Sequence, residues 1–183
     1  MLEAITSLDA QTLLWIQEHL RVEFLNPLIK LFTTLGNAGI VWSVLTALLL
    51  CFRSTRRAGC VSALALVFSL LVTNIGLKPF IARTRPYYAI DGLIPLLTSR
   101  DPNSFPSGHT CAAFSAGIAW AGIFRKPWLR TVCVVQAVLM GLSRLYVGVH
   151  YPTDVLAGAI LGTLCGLAAV GIFKLLDKKK AAR

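Results

Sequence analysis

The sequence is poor in charged residues, and acidic residues are especially scarce. Only 14% of the 183 residues are charged, and 8 acidic residues stand against 18 basic ones. Hydrophobic residues make up 56% of the chain, and the mean hydropathy is +0.69. This composition excludes a water-soluble globular domain and predicts an integral membrane protein.

Two other patterns are missing. Aromatic residues do not alternate with the basic residues, as a stacking surface for nucleic acid requires, so the net charge of +10 does not indicate a nucleic-acid partner. The five cysteines include no C-x-x-C pair, and an odd number gives no disulfide framework. We expect the cysteines to pack as small apolar residues.

Apolar runs predict an all-α, polytopic membrane helical bundle. A spanning helix needs about 20 predominantly apolar residues. Five runs approach this length, and each is bounded by charged or proline-containing segments: residues 38–52, 58–77, 108–124, 128–142 and 152–176. The sequence therefore predicts five clear spans within a membrane domain of residues 36–177, followed by a basic tail of residues 178–183.

The first 35 residues have a mixed pattern. Apolar residues recur at helical spacing with a polar face between them, which favours an interfacial helix pair. A single irregular sixth span is the alternative interpretation. Asp9 is expected to be the N-cap of the first helix, because its short carboxylate can accept a hydrogen bond from a free backbone N–H.

Three basic clusters orient the bundle. If the spans alternate in direction, all three clusters lie on one side of the membrane, and the positive-inside rule assigns that side to the cytoplasm. We therefore expect a multi-pass protein of the plasma membrane with a cytoplasmic C-terminus. The clusters are Arg53, Arg56 and Arg57; Arg125, Lys126 and Arg130; and Lys174, Lys178, Lys179, Lys180 and Arg183.

The same alternation brings three polar stretches together at the opposite, non-cytoplasmic face. They contribute the cations Lys78, Arg85 and Arg144. Charges near membrane depth are costly and usually functional, and three like charges need an anion with several oxygens, such as phosphate. Anchoring to lipid headgroups is the alternative explanation for each cation taken alone.

The tetrapeptide Pro106-Ser107-Gly108-His109 is expected to open a helix. Ser107 suits the N-cap position, and Gly108 allows close backbone approach, so the free N–H groups form an anion site. His109 beside that site could protonate a leaving oxygen. A simple helix cap is the alternative.

His150 and Asp154 are four residues apart at the predicted start of the last helix. A carboxylate in the first turn can reach back to the imidazole, fix its tautomer and leave the other nitrogen as a nucleophile. A purely structural pair is the alternative. A metal site of His109, His150 and Asp154 is disfavoured, because the three nearby cations repel a divalent ion.

Together these stretches resemble the type 2 phosphatidic acid phosphatase family, whose signature is K-x6-R-P, P-S-G-H and S-R-x5-H-x3-D. The likeness covers roughly residues 36–176, and every spacing fits: Lys78 to Arg85-Pro86, Pro106 to His109, and Ser143-Arg144 to His150 and Asp154. The resemblance implies a helical bundle with a core like that of the vanadium haloperoxidases.

The resemblance also implies roles for the site residues. His150 is similar to the nucleophile that forms a phosphohistidine, and Asp154 to the carboxylate that orients it. His109 is similar to the general acid for the leaving group, and then to the base that activates water. No metal ion or other cofactor is implied. The implied phosphate clamp consists of Lys78, Arg85, Ser107, Gly108 and Arg144.

The implied activity is that of a membrane lipid phosphatase with its site at the extracytoplasmic face. No large domain is inserted between Pro86 and Pro106, which is similar to small members that act on undecaprenyl diphosphate. Phosphatidylglycerophosphate or phosphatidic acid is the alternative substrate. An anionic-lipid transporter is the non-enzymatic alternative, although no second, symmetry-related motif is present. The loop from Tyr87 to Asn103 is either a gate or a plain connection.

Overall fold

The computed structural model describes residues 2–182, which form helices joined by loops. No strand occurs in this described part, where Thr84 and Asn103 make one isolated bridge. The predicted all-α class is therefore confirmed. The helices are α1 (Leu2–His19), α2 (Asn26–Leu35), α3 (Ile40–Cys51), α4 (Arg56–Ser69), α5 (Lys78–Ile81), α6 (Pro86–Ala89), α7 (Gly108–Ile123), α8 (Pro127–Tyr146) and α9 (Pro152–Ala181).

A π-helical stretch joins α4 to α5. It covers Leu70–Leu77, so that the chain is helical without interruption from Arg56 to Ile81. The helix ends where Ala82 adopts a left-handed conformation with φ of 47°. Lys78, which the sequence placed at the start of a polar connection, therefore belongs to the last part of a membrane helix.

Among the described residues, three helices are long and apolar enough to cross a membrane: Arg56–Ile81, Pro127–Tyr146 and Pro152–Ala181. A fourth candidate is the pair Glu23–Leu35 and Ile40–Cys51, which is bent by 55°. These spans identify a membrane protein. The sequence predicted five crossings; α7 falls short with 16 residues, and α3, with 12, reaches the length of a span only as part of the bent pair.

The short helix α7 lies at the centre of the bundle and packs against α4, α8 and α9. Its inward faces carry small side chains that are fully buried, Ala113, Ala116 and Ala119. Large side chains from neighbouring elements, such as Trp42, fill the space around them. Exposed leucines cover the outer faces of the surrounding helices, as expected of surfaces in contact with lipid; they include Leu48, Leu71, Leu139 and Leu164.

Three glycines of α9 allow its close approach to α7. A Cβ atom added at Gly158 would lie 2.6 Å from the carbonyl oxygen of Ser107, and one at Gly162 would lie 2.4 Å from that of Cys111. At Gly166 it would lie 2.8 Å from Cβ of Ile118. The stripe of glycines at four-residue spacing is thus a packing surface, as the sequence predicted.

We expect Gly162→Ala to destabilise the protein by about 1–3 kcal/mol, because the new methyl group forces two backbones apart. Gly171→Ala is the matched control in the same helix, since nothing lies within 4 Å of a Cβ added there. Alanine is favoured over glycine inside a helix, so the control should be neutral or stabilising. Thermal unfolding in detergent measures both; equal behaviour of the two variants contradicts the packing assignment.

Asp9 does not cap the first helix, and that prediction is wrong. Helix α1 begins at Leu2, so Asp9 lies in its interior, where it is buried and accepts a hydrogen bond from Arg83. A partner for a buried carboxylate outweighs the preference of Asp for helix starts. The interfacial assignment of residues 1–35 stays a prediction, as do the domain boundaries; residues 1 and 183 lie outside the described part.

Candidate active site

A cavity of about 1050 Å³ opens at the end of the bundle where α5 ends and α7 begins. It is lined by side chains from all three polar stretches. The structure therefore brings together residues from distant parts of the chain: Lys78, Arg85, Gly108, His109, Arg144 and His150. Ser107 and Asp154 are fully buried next to these residues and do not line the cavity.

Arg85 is 2% exposed and is fixed by main-chain acceptors. Its Nε donates to the carbonyl oxygen of Asp101 at 2.7 Å, and its Nη1 donates to that of Val149 at 2.9 Å. Nη1 also lies 3.3 Å from Nε2 of His150. The guanidinium thus stands beside the nitrogen of His150 that faces the cavity, where it can bind an oxygen of a phosphoryl group.

Lys78 and Arg85 share a carboxylate that the sequence did not assign to the site. Lys78 Nζ pairs with Oδ2 of Asp101, and Arg85 Nη2 lies 3.8 Å from the same oxygen. Burial opposes ionisation of Asp101, but the hydrogen bonds from Lys78 and the Asn103 backbone, with the charge of Arg85, outweigh it and lower its pKa. An incoming phosphate therefore competes with a charged carboxylate for both cations.

Arg144 lies on the last turn of α8 and is 4% exposed. Its Nη1 donates to the hydroxyl of Thr33 at 2.6 Å, which places α2 beside the site. Its Nε has no hydrogen-bond partner among the described residues. A buried donor of this kind is costly unless a ligand satisfies it, which agrees with a role in anion binding.

Ser107 is the N-cap of α7, as predicted, and accepts from the Thr110 backbone N–H at 3.5 Å and from the Thr110 hydroxyl at 2.9 Å. Its backbone N–H donates to the carbonyl oxygen of Asp154 at 3.0 Å, which fastens α7 to the start of α9. A Cβ added at Gly108 would lie 3.2 Å from Oδ1 of Asn74, so the glycine leaves the helix start open to the cavity.

His109 projects from the first turn of α7. Its Nε2 lies 2.9 Å from the side-chain oxygen of Asn37, which precedes α3. An amide oxygen accepts a hydrogen bond, so this contact favours the tautomer with a proton on Nε2. No pattern in the sequence pointed to Asn37, because it is 72 residues from His109 and belongs to none of the three stretches.

His150 is buried in the turn between α8 and α9. Its Nδ1 lies 3.5 Å from Oδ2 of Asp154, which is an ion-pair distance and longer than a hydrogen bond. No closer partner for Nδ1 occurs among the described residues. Catalytic hydrogen bonds often tighten only when substrate is bound. The other nitrogen, Nε2, faces Arg85 and the cavity.

The charge state of His150 suits a nucleophile. Burial lowers its pKa to about 4; the nearby carboxylate of Asp154 opposes the shift, whereas the charges of Arg144 and Arg85 reinforce it. The imidazole is consequently neutral near pH 7, and a neutral imidazole retains the lone pair that a nucleophile needs.

Asp154 is held by more partners than the sequence predicted. Its Oδ2 accepts from the backbone N–H of Tyr151 at 2.9 Å and from the hydroxyl of Ser104, while Oδ1 accepts from Nη1 of Arg83 at 2.7 Å. Arg83 and Ser104 were missed because neither belongs to the conspicuous motif positions. The position of Arg83, two residues before Arg85, was a weak signal.

The walls of the cavity change character away from the histidines. Along α3, α4 and the start of the π-helical stretch the lining becomes mainly apolar, with Leu50, Leu66, Val67 and Leu70. The site thus combines a polar, cationic end with an apolar arm between two membrane helices. Among the side chains that the structure describes, no group of three or more His, Cys, Asp or Glu is placed to hold a metal ion.

Comparison with known proteins agrees with this arrangement. Residues 58–177 match the family model described as the PAP2 superfamily. The chain is 32% identical over 152 residues to an undecaprenyl-diphosphatase of Sulfolobus acidocaldarius, covering 83% of this chain and 72% of the relative. It is 31% identical over 178 residues to a lipid A 4'-phosphatase of Bacteroides thetaiotaomicron, covering 91% and 77% respectively.

A solved structure is similar along most of its length. It is the PAP2-type phosphatidylglycerolphosphate phosphatase of Bacillus subtilis, with a TM-score of 0.79 and 28% identity. The match covers 93% of this chain and 87% of the other. The similarity extends beyond the matched family region and includes most of the helices before residue 58.

Proposed function

This chain belongs to the PAP2 superfamily and is a membrane hydrolase of phosphate esters, and from that premise we propose that it dephosphorylates a lipid diphosphate through a phosphohistidine on His150. The proposed substrate is undecaprenyl diphosphate, for which the relative from Sulfolobus acidocaldarius is named. Phosphatidylglycerophosphate or phosphatidic acid is the second candidate, which the likeness to the Bacillus subtilis structure favours. The transporter alternative is not supported by this kinship.

The observation that carries the proposal is the position of His150 within the cavity. Its Nε2 lies beside Arg85 at the cationic end, while the same cavity continues along α3 and α4 between apolar side chains. A lipid phosphate has matching halves, because its headgroup is anionic and its chain is apolar. The three cations would neutralise the phosphoryl oxygens as charge develops on them.

In the first proposed step, the lone pair of His150 Nε2 forms a bond to the terminal phosphorus. The bond from phosphorus to the bridging oxygen breaks, and this oxygen leaves with its electron pair as part of the lipid monophosphate. His109, protonated on both ring nitrogens once the anionic substrate is bound, donates its Nε2 proton to the leaving oxygen and becomes neutral imidazole. Asp154 stabilises the positive charge that develops on the imidazole of His150.

In the second proposed step, water replaces His150 on phosphorus. His109 has lost its proton and accepts one from the water, whose oxygen attacks the phosphohistidine. The nitrogen–phosphorus bond breaks, and its electron pair returns to His150 as inorganic phosphate forms. The clamp of Lys78, Arg85 and Arg144, with Ser107 and Gly108, serves both steps.

For the membrane arrangement we propose five crossings around a core like that of the vanadium haloperoxidases, with α7 as the short, central crossing. The site lies where α5 and α8 end and α7 and α9 begin, whereas the pair of Arg57 and Asp177 joins the opposite ends of α4 and α9. The basic clusters at that opposite end support a cytoplasmic C-terminus in the plasma membrane and an extracytoplasmic site.

A substrate panel tests the proposal. Purified protein is given undecaprenyl diphosphate, phosphatidylglycerophosphate, phosphatidic acid and a lipid A phosphate, and released phosphate is measured with EDTA present. We expect release to persist in EDTA and to be fastest from undecaprenyl diphosphate. Vanadate should inhibit, because it mimics the transferring phosphoryl group. Faster phosphate release from another lipid overturns the assignment of undecaprenyl diphosphate as the substrate. No release from any of the lipids overturns the proposed activity.

A further inference from the structure

A partly buried polar cluster joins α1 to the proposed catalytic pair. Arg83 lies at its centre: its Nη2 donates to Oδ2 of Asp9 at 2.8 Å, and its Nη1 donates to Oδ1 of Asp154 at 2.7 Å. The Thr153 hydroxyl accepts from Arg83 Nη1 at 2.7 Å and donates to Asp9 Oδ2 at 2.5 Å. The Thr153 backbone N–H donates to Asp9 Oδ1 at 3.1 Å.

The charges in this cluster depend on one another. Asp9 and Asp154 are almost completely buried, and a buried carboxylate is stable only when it is paired and hydrogen-bonded. One guanidinium serves both carboxylates, because its planar fork offers a separate nitrogen to each, whereas an ammonium group has only one nitrogen. The ring of Tyr151, whose centroid is 3.7 Å from Arg83 Cζ, supports the guanidinium from one side.

This cluster determines how Asp154 is oriented. Arg83 occupies Oδ1, and the Tyr151 backbone N–H and Ser104 hydroxyl bind Oδ2, the oxygen that lies near Nδ1 of His150. The carboxylate therefore cannot rotate without losing several hydrogen bonds. Asp9 in turn fixes the guanidinium, because it accepts from Nη2, the nitrogen of Arg83 that does not donate to Asp154.

We propose that Asp9 is a positioning residue for phosphoryl transfer: through Arg83 and Thr153 it holds Asp154 so that the Nδ1 proton of His150 faces the carboxylate and Nε2 faces the substrate. This inference rests on the proposed nucleophilic role of His150. It assigns a function to α1, which precedes the region matched by the family model. The first helix is then a component of the catalytic apparatus in addition to any contact with the membrane.

Asp9→Asn is the decisive variant, because it keeps the shape of the side chain and removes the charge. A displacement of catalytic groups by about 1 Å can cost on the order of 100-fold in rate. We expect kcat for lipid phosphate hydrolysis to fall by roughly 10- to 100-fold, with KM changed by less than about twofold, since Asp9 does not contact substrate. Glu18→Gln is the matched control, which removes the same charge at an exposed position of the same helix.

Two further variants separate positioning from folding. Thr153→Val removes only the hydroxyl that bridges Asp9 and Arg83 and should give a smaller loss of kcat. In the double variant Asp9→Asn with Arg83→Lys, the loss should be less than the product of the single losses, because both changes break one path to Asp154. Multiplicative losses contradict that path. If Asp9 made only a stabilising contact, its replacement would lower the unfolding temperature and leave kcat per folded molecule unchanged.

The tautomer of His150 provides a test that needs no turnover. ¹⁵N NMR of histidine-labelled protein, with the His150 signals assigned from a His150→Gln sample, should show a proton on Nδ1 in the wild type and a tautomer mixture in Asp9→Asn. The same tautomer in both overturns the positioning role, even if the wild type is an active phosphatase. The tautomer could also differ between the wild type and Asp9→Asn although the wild type releases no phosphate from any lipid. This result supports the positioning role and overturns the proposed function.

Discussion

His150→Ala is expected to reduce phosphate release from every lipid phosphate by at least about 10⁴-fold. In covalent catalysis the nucleophile takes part in both steps, and in proteases its removal costs on the order of 10⁶-fold in kcat. The remaining clamp can still bind the headgroup, so some hydrolysis by direct attack of water is expected. The measurement is phosphate release under single-turnover conditions, together with the amount of phosphohistidine found after alkaline denaturation.

The control uses the one histidine of the chain that lies outside the proposed site. His19 lies at the exposed end of α1, where its ring stacks on Trp15. His19→Ala should leave turnover close to that of the wild type. His150→Ala should still bind phosphate, because Lys78, Arg85 and Arg144 do not depend on the imidazole for their charge. Turnover within tenfold of the wild type in folded His150→Ala would show that another group accepts the phosphoryl.

The proximity of the three polar stretches could be predicted because it follows from two simple rules. Spans that alternate in direction place the end of one helix beside the start of the next. The four-residue spacing of His150 and Asp154 puts the carboxylate in the first turn of α9, where the structure has it. Neither rule needs knowledge of how the helices pack.

The partners of these residues could not be predicted in the same way. Asn37, Asp101, Ser104 and Asp9 reach the site through contacts that depend on loop paths and helix packing, and no periodicity in the sequence reports such contacts. Asp9 was misassigned because an acidic residue near the start of a helix usually caps it. A central helix and a lipid-facing helix also have similar apolar runs, so the sequence could not show that α7 is short and enclosed.

His109→Ala is expected to have an effect that depends on the leaving group. When a lipid monoester such as phosphatidic acid reacts, the leaving oxygen becomes a basic alkoxide, and loss of the general acid should cost about 10²- to 10⁴-fold in the first step. When a lipid diphosphate reacts, the leaving oxygen belongs to a phosphate whose second pKa is about 6, and it needs little help from an acid. The first step should then be nearly intact.

The second step is the same for both substrates, because the phosphohistidine no longer contains the lipid. Without His109 its hydrolysis lacks a base and should be slow in both cases. With a lipid diphosphate, the variant should therefore release one burst of lipid monophosphate per enzyme molecule and accumulate phosphohistidine. With the monoester it should accumulate neither the lipid alcohol, which is the product of its first step, nor phosphohistidine.

Rapid-quench measurement of the released lipid product (the monophosphate from the diphosphate, the alcohol from the monoester) and of phosphohistidine distinguishes these outcomes. Equal slowing of the first step with both substrates would contradict the role of His109 as the acid, and unslowed hydrolysis of the phosphohistidine would contradict its role as the base. The contact between His109 Nε2 and Asn37 Oδ1 holds in place the nitrogen that gives a proton in the first step and accepts one in the second. The amide oxygen orients the protonated nitrogen in the resting enzyme, and a leaving oxygen or a water molecule in the cavity can take its place as the proton partner.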